Sequence, residues 1–190
     1  MRLFVAIPLD PALRPAAQRV RDEIVRLCPE AATGVKWVEP HNLHFTLKFL
    51  GEVPDAKVPE VAASLGRLRE CEAFEIRIEG VGAFPTSSSP RVVWVGVFEG
   101  ADRLTALAAR AEEILAEVGF AREARPFSAH LTLGRARERR RLPCLKVALE
   151  AQRHTKIGVQ CVGSVVLMQS RLSPRGPTYV ERATFPLVRY

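Results

Sequence analysis

Residues 40–47 read Pro-His-Asn-Leu-His-Phe-Thr-Leu, and residues 126–133 read Pro-Phe-Ser-Ala-His-Leu-Thr-Leu. Each stretch has a Pro four residues before a His, which is followed by an apolar residue, Thr and Leu. Thr is 8 of the 190 residues, so two His-x-Thr pairs with matching Pro and Leu positions are poorly explained by chance. The chain therefore contains a duplicated element, and its two copies guide the interpretation of the rest.

The physical meaning of the duplication follows from β-strand geometry, in which side chains alternate between the two faces of a sheet. On a strand, His44 and Thr46 share one face, and Phe45 between them points the other way, toward a core. His130 and Thr132 have the same relation in the second copy. If the two polar faces oppose each other, two imidazoles and two hydroxyls converge on one cleft.

This set of side chains suits phosphoryl transfer. A displacement at phosphorus needs a base for the attacking oxygen and an acid for the departing one, and His can supply either near pH 7. Thr hydroxyls can donate hydrogen bonds to the phosphate oxygens on which negative charge develops. We therefore predict His44 and His130 as the catalytic pair, and Thr46 and Thr132 as the phosphate-binding groups. The alternative for an isolated His, a satisfied core residue, is disfavoured by the matched contexts.

No metal or other cofactor is predicted. A metal site requires three or four ligands, and neither motif places a carboxylate or a Cys beside its His on the polar face. The four cysteines, Cys28, Cys71, Cys144 and Cys161, are scattered and form no Cys-x-x-Cys pair. We expect buried free thiols in preference to disulfides or a zinc site.

The predicted elements around the motifs occur in the same order in both halves of the chain. In the first half, strands are predicted at residues 2–8, 42–50 and 74–78, and helices at 10–27 and 55–69. In the second half, strands are predicted at 91–98, 128–135 and 162–169, and helices at 102–118 and 142–152. A last extended segment, 179–187, has no counterpart in the first half.

This repeated order predicts one bilobal domain over residues 1–190. Its pseudo-repeats span about 1–85 and 90–190, and the segment Pro85–Pro90, which reads PTSSSP, is the expected joint between them.

Composition restricts the class of protein. With 47% hydrophobic and 26% charged residues, the chain resembles soluble globular proteins. Its longest apolar runs are far shorter than the roughly 20 residues that a membrane-spanning helix requires. The opening MRLFVAIPLDP is typical of a first strand and not of a signal peptide, so the cytoplasm is the expected location.

The positive charge of the chain is compatible with a partner that carries phosphate. The sequence has 28 Lys and Arg against 21 acidic residues, a net charge of +7. Five arginines follow the second motif within a short run: Arg135, Arg137, Arg139, Arg140 and Arg141. A nucleic acid is one such partner, and the alternative for the run itself, a solvated surface loop, stays open.

These residues resemble a known family. The tetrads HFTL and HLTL are the signature of the two-histidine (2H) phosphoesterases, and the flanking sequence resembles the bacterial and archaeal RNA 2′,3′-cyclic phosphodiesterases, also called 2′-5′ RNA ligases. The likeness covers nearly the whole chain. It includes RLFVAI at 2–7, KWV at 36–38, NLHFTLKFLGEV at 42–53, VGAFP at 81–85, RVVWVGV at 91–97, ARPFSAHLTLGR at 124–135 and SRLSPRGPTY at 170–179.

The resemblance implies an α+β fold with two lobes, in which two pseudo-symmetric antiparallel sheets, flanked by helices, border a central cleft. It implies metal-independent hydrolysis of an RNA-terminal 2′,3′-cyclic phosphate to a 2′-phosphomonoester. In that reaction His44 would be the proton donor to the leaving 3′ oxygen, and His130 the proton acceptor that activates water. Thr46 and Thr132 would hold the phosphate, and Arg135 would contact the substrate.

The implied partner is RNA with 2′,3′-cyclic phosphate ends, with tRNA fragments among the candidates and no membrane, and the chain is expected to act as a monomer. Three alternatives stay open: reversible 2′-5′ RNA ligation in the same site, a non-catalytic RNA-end-binding module, and a different cyclic or 2′-5′-linked nucleotide as substrate. His41, where the family more often has an acidic residue, and His154, which matches no motif, are interpreted as surface residues.

Overall fold

The computed structural model describes residues 1–137, 142–173 and 176–189. These residues contain nine β-strands and five α-helices, together with short 3-10 turns. The strands are β1 (Arg2–Pro8), β2 (Val35–Trp37), β3 (His44–Glu52), β4 (Phe74–Thr86), β5 (Ser89–Glu99), β6 (His130–Ala136), β7 (Lys156–Val162), β8 (Ser164–Ser173) and β9 (Gly176–Pro186). The helices are α1 (Arg14–Leu27), α2 (Ala31–Gly34), α3 (Val58–Leu65), α4 (Ala101–Glu117) and α5 (Pro143–Ala151). The predicted α+β class is confirmed.

The strands form one antiparallel sheet in the order β7-β4-β5-β6-β3-β1-β8-β9, with β2 pairing to β6 beside β3. The two motif strands, β3 and β6, lie at its centre and are joined through the pair Phe45–Leu131. The two predicted antiparallel sheets are thus the two halves of this order, and they are continuous because the motif strands pair directly.

The two halves of the sheet exchange a strand with respect to the predicted pseudo-repeats. β4 belongs to the first repeat but pairs with β5, and β8 belongs to the second repeat but pairs with β1. The reason at β4 is local: residues 87–88 form a two-residue turn between the paired Thr86 and Ser89, so β4 and β5 are a hairpin. The segment Pro85–Pro90, expected to join two lobes, is this hairpin turn and not a linker.

The core lies between the sheet and the amphipathic helices. α1 buries Ala17, Val20 and Ile24, which recur at the spacing of one helix face, and α4 buries its own apolar face in the same way. These side chains belong to the same buried cluster as Phe45 and Leu131, the residues between the His and Thr of each motif. Within the described ranges, no helix has both the length and the apolar character needed to cross a membrane.

The core also contains a buried ion pair that the sequence pattern does not predict. Lys48 on β3 donates hydrogen bonds to both carboxylate oxygens of Glu112 on α4, at 2.8 Å each, and to the carbonyl oxygen of Ala121 at 2.7 Å. Only 3% of Lys48 is exposed. The pair fixes β3 to α4 and to the segment that leads into β6.

Strand β7 is absent from the predicted elements because its pattern does not alternate. Its buried residues are Ile157, Gln160 and Val162, whereas Val159 is 55% exposed. The buried amide of Gln160 accepts from the backbone N–H of Asp10 at 3.0 Å and donates to the carbonyl of Pro8 at 2.9 Å. The sheet therefore curls until its β7 edge meets the end of β1, and a polar side chain closes the contact.

The expectation of buried free thiols is wrong. Cys28 and Cys144 form a disulfide with their Cα atoms 5.1 Å apart, and Cys71 is half-buried and Cys161 exposed. The disulfide joins the C-terminal end of α1 to the first turn of α5, because these helices pack against each other. A separation of 116 residues hides this proximity in the sequence.

Candidate active site

The pairing of β3 with β6 brings the two His-x-Thr motifs together. The central apolar residues of the two motifs pair with each other, so the antiparallel register places His44 across from Thr132 and Thr46 across from His130. A local two-fold axis through this pair relates His44 to His130 and Thr46 to Thr132. The two histidines are diagonal neighbours on one face, and the Cα atoms of such neighbours are about 7–8 Å apart.

Each imidazole is oriented by the same backbone contact. Nδ1 of His44 lies 2.7 Å from the carbonyl oxygen of Asn42, and Nδ1 of His130 lies 2.8 Å from the carbonyl oxygen of Ser128. Because a carbonyl oxygen accepts only, Nδ1 carries the proton in both rings. Nε2 is then the nitrogen that each histidine offers to a substrate, as acceptor when neutral and as donor when protonated.

A β-bulge follows the Thr of each motif. Register shifts between β1 and β3 and between β5 and β6 leave Leu47 and Leu133 without a partner across the strand, and both are buried. Each bulge reverses the alternation of faces. Phe49 and Arg135, which regular alternation from the preceding His would place on the core side, therefore line the same cleft as the motifs.

The cleft over β1, β3 and the end of β6 has the size of a ligand site. Its volume is about 440 Å³, within the roughly 300–1,000 Å³ typical of ligand pockets. Its lining combines a polar floor with two guanidinium groups and an apolar wall. The lining includes His44, Thr46, Thr132, Arg2, Arg135, Asn42, Phe4, Phe49, Leu172 and Tyr179. His130 adjoins this lining across from Thr46.

Aromatic rings enclose both histidines. Tyr179 meets the ring of His44 edge-on, with centroids 5.1 Å apart and planes at 89°, and Phe4 lies 5.0 Å from it. Phe84 meets the ring of His130 in the same way, at 5.2 Å and 89°. Each imidazole is therefore packed edge-on against one aromatic ring, which is a Tyr at His44 and a Phe at His130.

Burial and charge move both histidines in the same direction. Burial lowers the pKa of His44, and the positive charges of Arg135 and His130 lower it further, against the hydrogen bond to Asn42. Burial and the charge of Arg135 lower the pKa of His130, against the hydrogen bond to Ser128. A bound anion would act in the opposite direction and raise the pKa of both imidazoles.

The remaining predicted residues lie away from the motif face or outside the described ranges. Arg137 is exposed and its backbone N–H donates to Gly34, whereas 139–141 fall outside the described residues. His41 and His154 are exposed, which confirms their interpretation as surface residues.

Several cleft residues were not predicted, although the sequence carried signals for some of them. Phe49 follows His44 at the same distance at which Arg135 follows His130. Asn42 and Tyr179 lie inside segments that resemble the phosphoesterase family. Arg2 and Phe4 also lie inside such a segment, RLFVAI at 2–7.

The polar groups of the cleft are imidazole, hydroxyl, amide and guanidinium groups. In the described part of the chain, the one group of neighbouring His, Cys and carboxylate side chains that could hold a metal ion is Cys28, Glu30 and Cys144. It lies between α1 and α5, away from the cleft, and two of its members form the disulfide.

Comparison with known proteins agrees with this geometry. The family described as LigT like Phosphoesterase matches residues 7–94 and 95–179. A protein of Archaeoglobus fulgidus named RNA 2′,3′-cyclic phosphodiesterase is 40% identical over 185 residues, 97% of this chain and 99% of that protein. One of the same name from Aeropyrum pernix is 41% identical over 163 residues, 85% of this chain and 89% of that protein.

The fold is shared with solved structures as well. E. coli LigT in complex with 3′-AMP superimposes with a TM-score of 0.78 at 28% identity, covering 99% of this chain and 98% of that one. The duplicated motif, the central pairing of its two strands and these matches lead to one conclusion: the chain belongs to the LigT-like phosphoesterase family of the two-histidine superfamily.

Proposed function

We propose that this enzyme hydrolyses the 2′,3′-cyclic phosphate at an RNA end to a 2′-phosphomonoester. The observation that carries the proposal is the pair of His-x-Thr motifs related by a two-fold axis on adjacent central strands, each with Nε2 free. The names of the relatives supply the substrate class. Cleaved RNA, including tRNA fragments, is the proposed source of such ends, met by a monomer in the cytoplasm.

The two-fold arrangement suits an in-line displacement at phosphorus. Water attacks on the side opposite the 3′ oxygen, and Nε2 of His130 accepts its proton as the new P–O bond forms. The bond from phosphorus to the 3′ oxygen breaks, and Nε2–H of His44 protonates that oxygen. The products are a 3′-hydroxyl and a phosphate that stays on the 2′ oxygen, so one water molecule is consumed.

The two threonines act on the charge of the transition state. Thr132 lies across from His44, and Thr46 lies across from His130, so their hydroxyls flank the position of the phosphorus. Each can donate a hydrogen bond to a non-bridging oxygen, where negative charge increases during the displacement. These residues need no metal to polarise the phosphate.

The wall of the cleft suits a nucleoside next to the cyclic phosphate. Phe49 and Tyr179 form an aromatic surface on one side of the polar floor, and Phe4, which is 3% exposed, packs against both rings. Such rings stack on nucleobases of any identity, which suits an enzyme that acts on the ends of different RNAs. Arg2 and Arg135 supply positive charge for the phosphate and the ribose.

The test is direct. An RNA that ends in 2′,3′-cyclic phosphate is incubated with the protein in ¹⁸O-labelled water, with and without EDTA, and the product is identified by mass spectrometry and ³¹P NMR. We expect a 2′-phosphate that carries one ¹⁸O, formed equally well with EDTA. His154→Ala, at an exposed histidine away from the cleft, is the matched control and should be as active as the wild type. Absence of product would refute the proposed reaction, and loss of product in EDTA would refute the metal-independent mechanism.

A further inference from the structure

The two-fold symmetry of the motifs breaks down behind the histidines. The axis relates Asn42 to Ser128, whose carbonyls hold the two imidazoles, but their side chains differ in environment. Asn42 is 8% exposed, and its side-chain Nδ2–H donates to the carbonyl of Pro177 at 3.1 Å. Ser128 is exposed. A hydrogen bond from the β8–β9 hairpin therefore fixes the backbone that orients His44.

The same hairpin also supplies the ring that packs against His44. Tyr179 follows Pro177 by two residues on β9, and it meets His44 edge-on at 5.1 Å and Phe4 at 5.0 Å and 73°. On the other side of the axis, Phe84 of β4 holds His130. The β8–β9 hairpin thus supports His44 in two ways. The carbonyl of Pro177 anchors Asn42, whose own carbonyl accepts from the imidazole, and the ring of Tyr179 packs against the imidazole.

We propose that Asn42 and Tyr179 are a positioning pair that holds the His44 imidazole in its Nδ1–H form with Nε2 toward the substrate, and that distinguishes it from His130. The inference rests on the proposed function in that it explains how two symmetry-related histidines take different roles. Asn42 acts through its backbone, which its side-chain amide anchors to Pro177. Tyr179 acts through its ring, which prevents the imidazole from rotating.

The charged and titratable groups that face His44 come from three elements. Arg135 and His130 approach from β6, and Tyr179 approaches from β9, with Arg2 of β1 beside Tyr179. A change at Asn42 leaves these charges in place, so a changed state of His44 in that variant reports on position.

The experiment records the imidazole ¹⁵N signals of both histidines by long-range ¹H–¹⁵N NMR in the wild type and in Asn42→Ser, which copies the residue of the second motif. In the wild type, at a pH above the pKa of the ring, we expect neutral His44 in the Nδ1–H form. In Asn42→Ser, which removes the anchor to Pro177, we expect the His44 signals to move from their wild-type values toward those of His130, and the His130 signals to stay unchanged. We also expect kcat to fall by about 10- to 100-fold, as for other groups that orient a reacting residue, with KM changed much less.

Two substitutions at Tyr179 separate the ring from its hydroxyl. Tyr179→Phe should retain the wild-type signals of His44, because Phe84 fulfils the same role without a hydroxyl. Tyr179→Leu should move the His44 signals from their wild-type values, as Asn42→Ser does. Thr178→Ala, at the exposed residue between Pro177 and Tyr179, is the matched control on the hairpin and should match the wild type.

The outcomes are separable from those of the proposed reaction. Folded Asn42→Ser and Tyr179→Leu variants with wild-type His44 signals would overturn the positioning pair, whatever the activity. Should Tyr179→Leu not fold, Asn42→Ser alone decides, because Ser occupies the equivalent place in the second motif. A wild-type protein that does not act on the cyclic phosphate would instead refute the proposed function, with the NMR comparison still able to decide the positioning.

Discussion

At the scale of single residues, the site depends on which imidazole nitrogen of each histidine is available to accept or donate a proton. The backbone carbonyls of Asn42 and Ser128 occupy Nδ1 of each imidazole, so only Nε2 can take part in the reaction. Burial lowers the pKa of both rings. An anionic substrate would raise the pKa of both rings and so favour the protonated acid of the proposed reaction, and two predictions follow from this coupling.

Removal of either histidine should reduce the rate at least as much as removal of either threonine, and by up to about tenfold more. Loss of a general acid or base costs about 10²- to 10⁴-fold, and loss of one oxyanion donor costs about 10²- to 10³-fold. Single-turnover rates of His44→Ala, His130→Ala, Thr46→Val and Thr132→Val on one cyclic nucleotide would establish the order. The double histidine variant should be little worse than either single one, because both act on one transition state. A His44→Ala variant with near-normal turnover would refute its role as proton donor.

The pH dependence should follow from the lowered pKa of both histidines. In the free enzyme, kcat/KM should describe a bell whose centre lies on the acid side of the ordinary imidazole pKa of about 6.5. The acid limb falls as the base takes up a proton, and the alkaline limb falls as the acid loses one. A bound phosphate anion raises both pKa values, so the limits of kcat should lie at higher pH than those of kcat/KM. The limits belong to the coupled pair.

Chelators provide the control for this profile. Because no metal-bound water is proposed, EDTA should leave both limbs in place. A rate that rises steadily with pH and disappears in EDTA would indicate a metal hydroxide, and the two-histidine mechanism would then have to be abandoned.

At the scale of elements, the β-bulges decide which residues enter the cleft. If Leu47 and Leu133 were paired as regular strand residues, alternation would place Phe49 and Arg135 on the core side. The two-fold axis relates these two positions to each other, so the cleft receives an aromatic ring from β3 and a guanidinium group from β6. This difference gives the symmetric pair of motifs two unequal ends, which in the proposed function suit a nucleobase and a phosphate respectively.

We expect Phe49→Ala to raise KM for cyclic nucleotides with a smaller effect on kcat. Stacking of one base on an aromatic side chain is worth about 1–3 kcal/mol, which corresponds to a rise of about 5- to 150-fold. Phe98→Ala is the matched control, because Phe98 is also an exposed aromatic residue, 66% against 57% for Phe49, but lies outside the cleft. Equal KM values for the two variants would show that Phe49 does not contact the base.

At the scale of the whole molecule, the chain is held together by contacts between distant segments. The exchange of β4 and β8 makes each half of the sheet depend on both repeats. The disulfide Cys28–Cys144 adds a covalent link between α1, which follows β1, and α5, which follows β6. We therefore expect the two halves to unfold together.

Removal of the disulfide should lower the free energy of unfolding by about 2–4 kcal/mol, because the cross-link restricts the unfolded chain. Cys144→Ala and the reduced wild type should both show this loss in urea unfolding monitored by circular dichroism. Cys161→Ala, at an exposed free cysteine, is the control and should unfold like the wild type. An unfolding midpoint that is the same in the oxidised and reduced wild type would refute the contribution.

Local patterns were enough for sequence to predict the first level of this structure. Alternation along a strand places His44 with Thr46 above Phe45, and the buried Phe45 of the structure agrees with it. The helix predicted at 10–27 is present as a 3-10 turn, Pro11–Leu13, followed by α1, and Asp10 caps that turn by accepting from the backbone N–H of Ala12 at 2.8 Å. Each of these properties depends on residues within a few positions of each other, and so the sequence determines them.

Only the tertiary structure decided the features that complete the site. The register of β3 against β6 places His44 and His130 diagonally across the two strands, and the bulges turn Phe49 and Arg135 into the cleft. The β8–β9 hairpin returns to place Tyr179 against His44, and the packing of helices α1 and α5 forms the disulfide. These features depend on which distant segments pair, and many pairings satisfy the same local pattern. The pairing that forms is the one that buries the whole core.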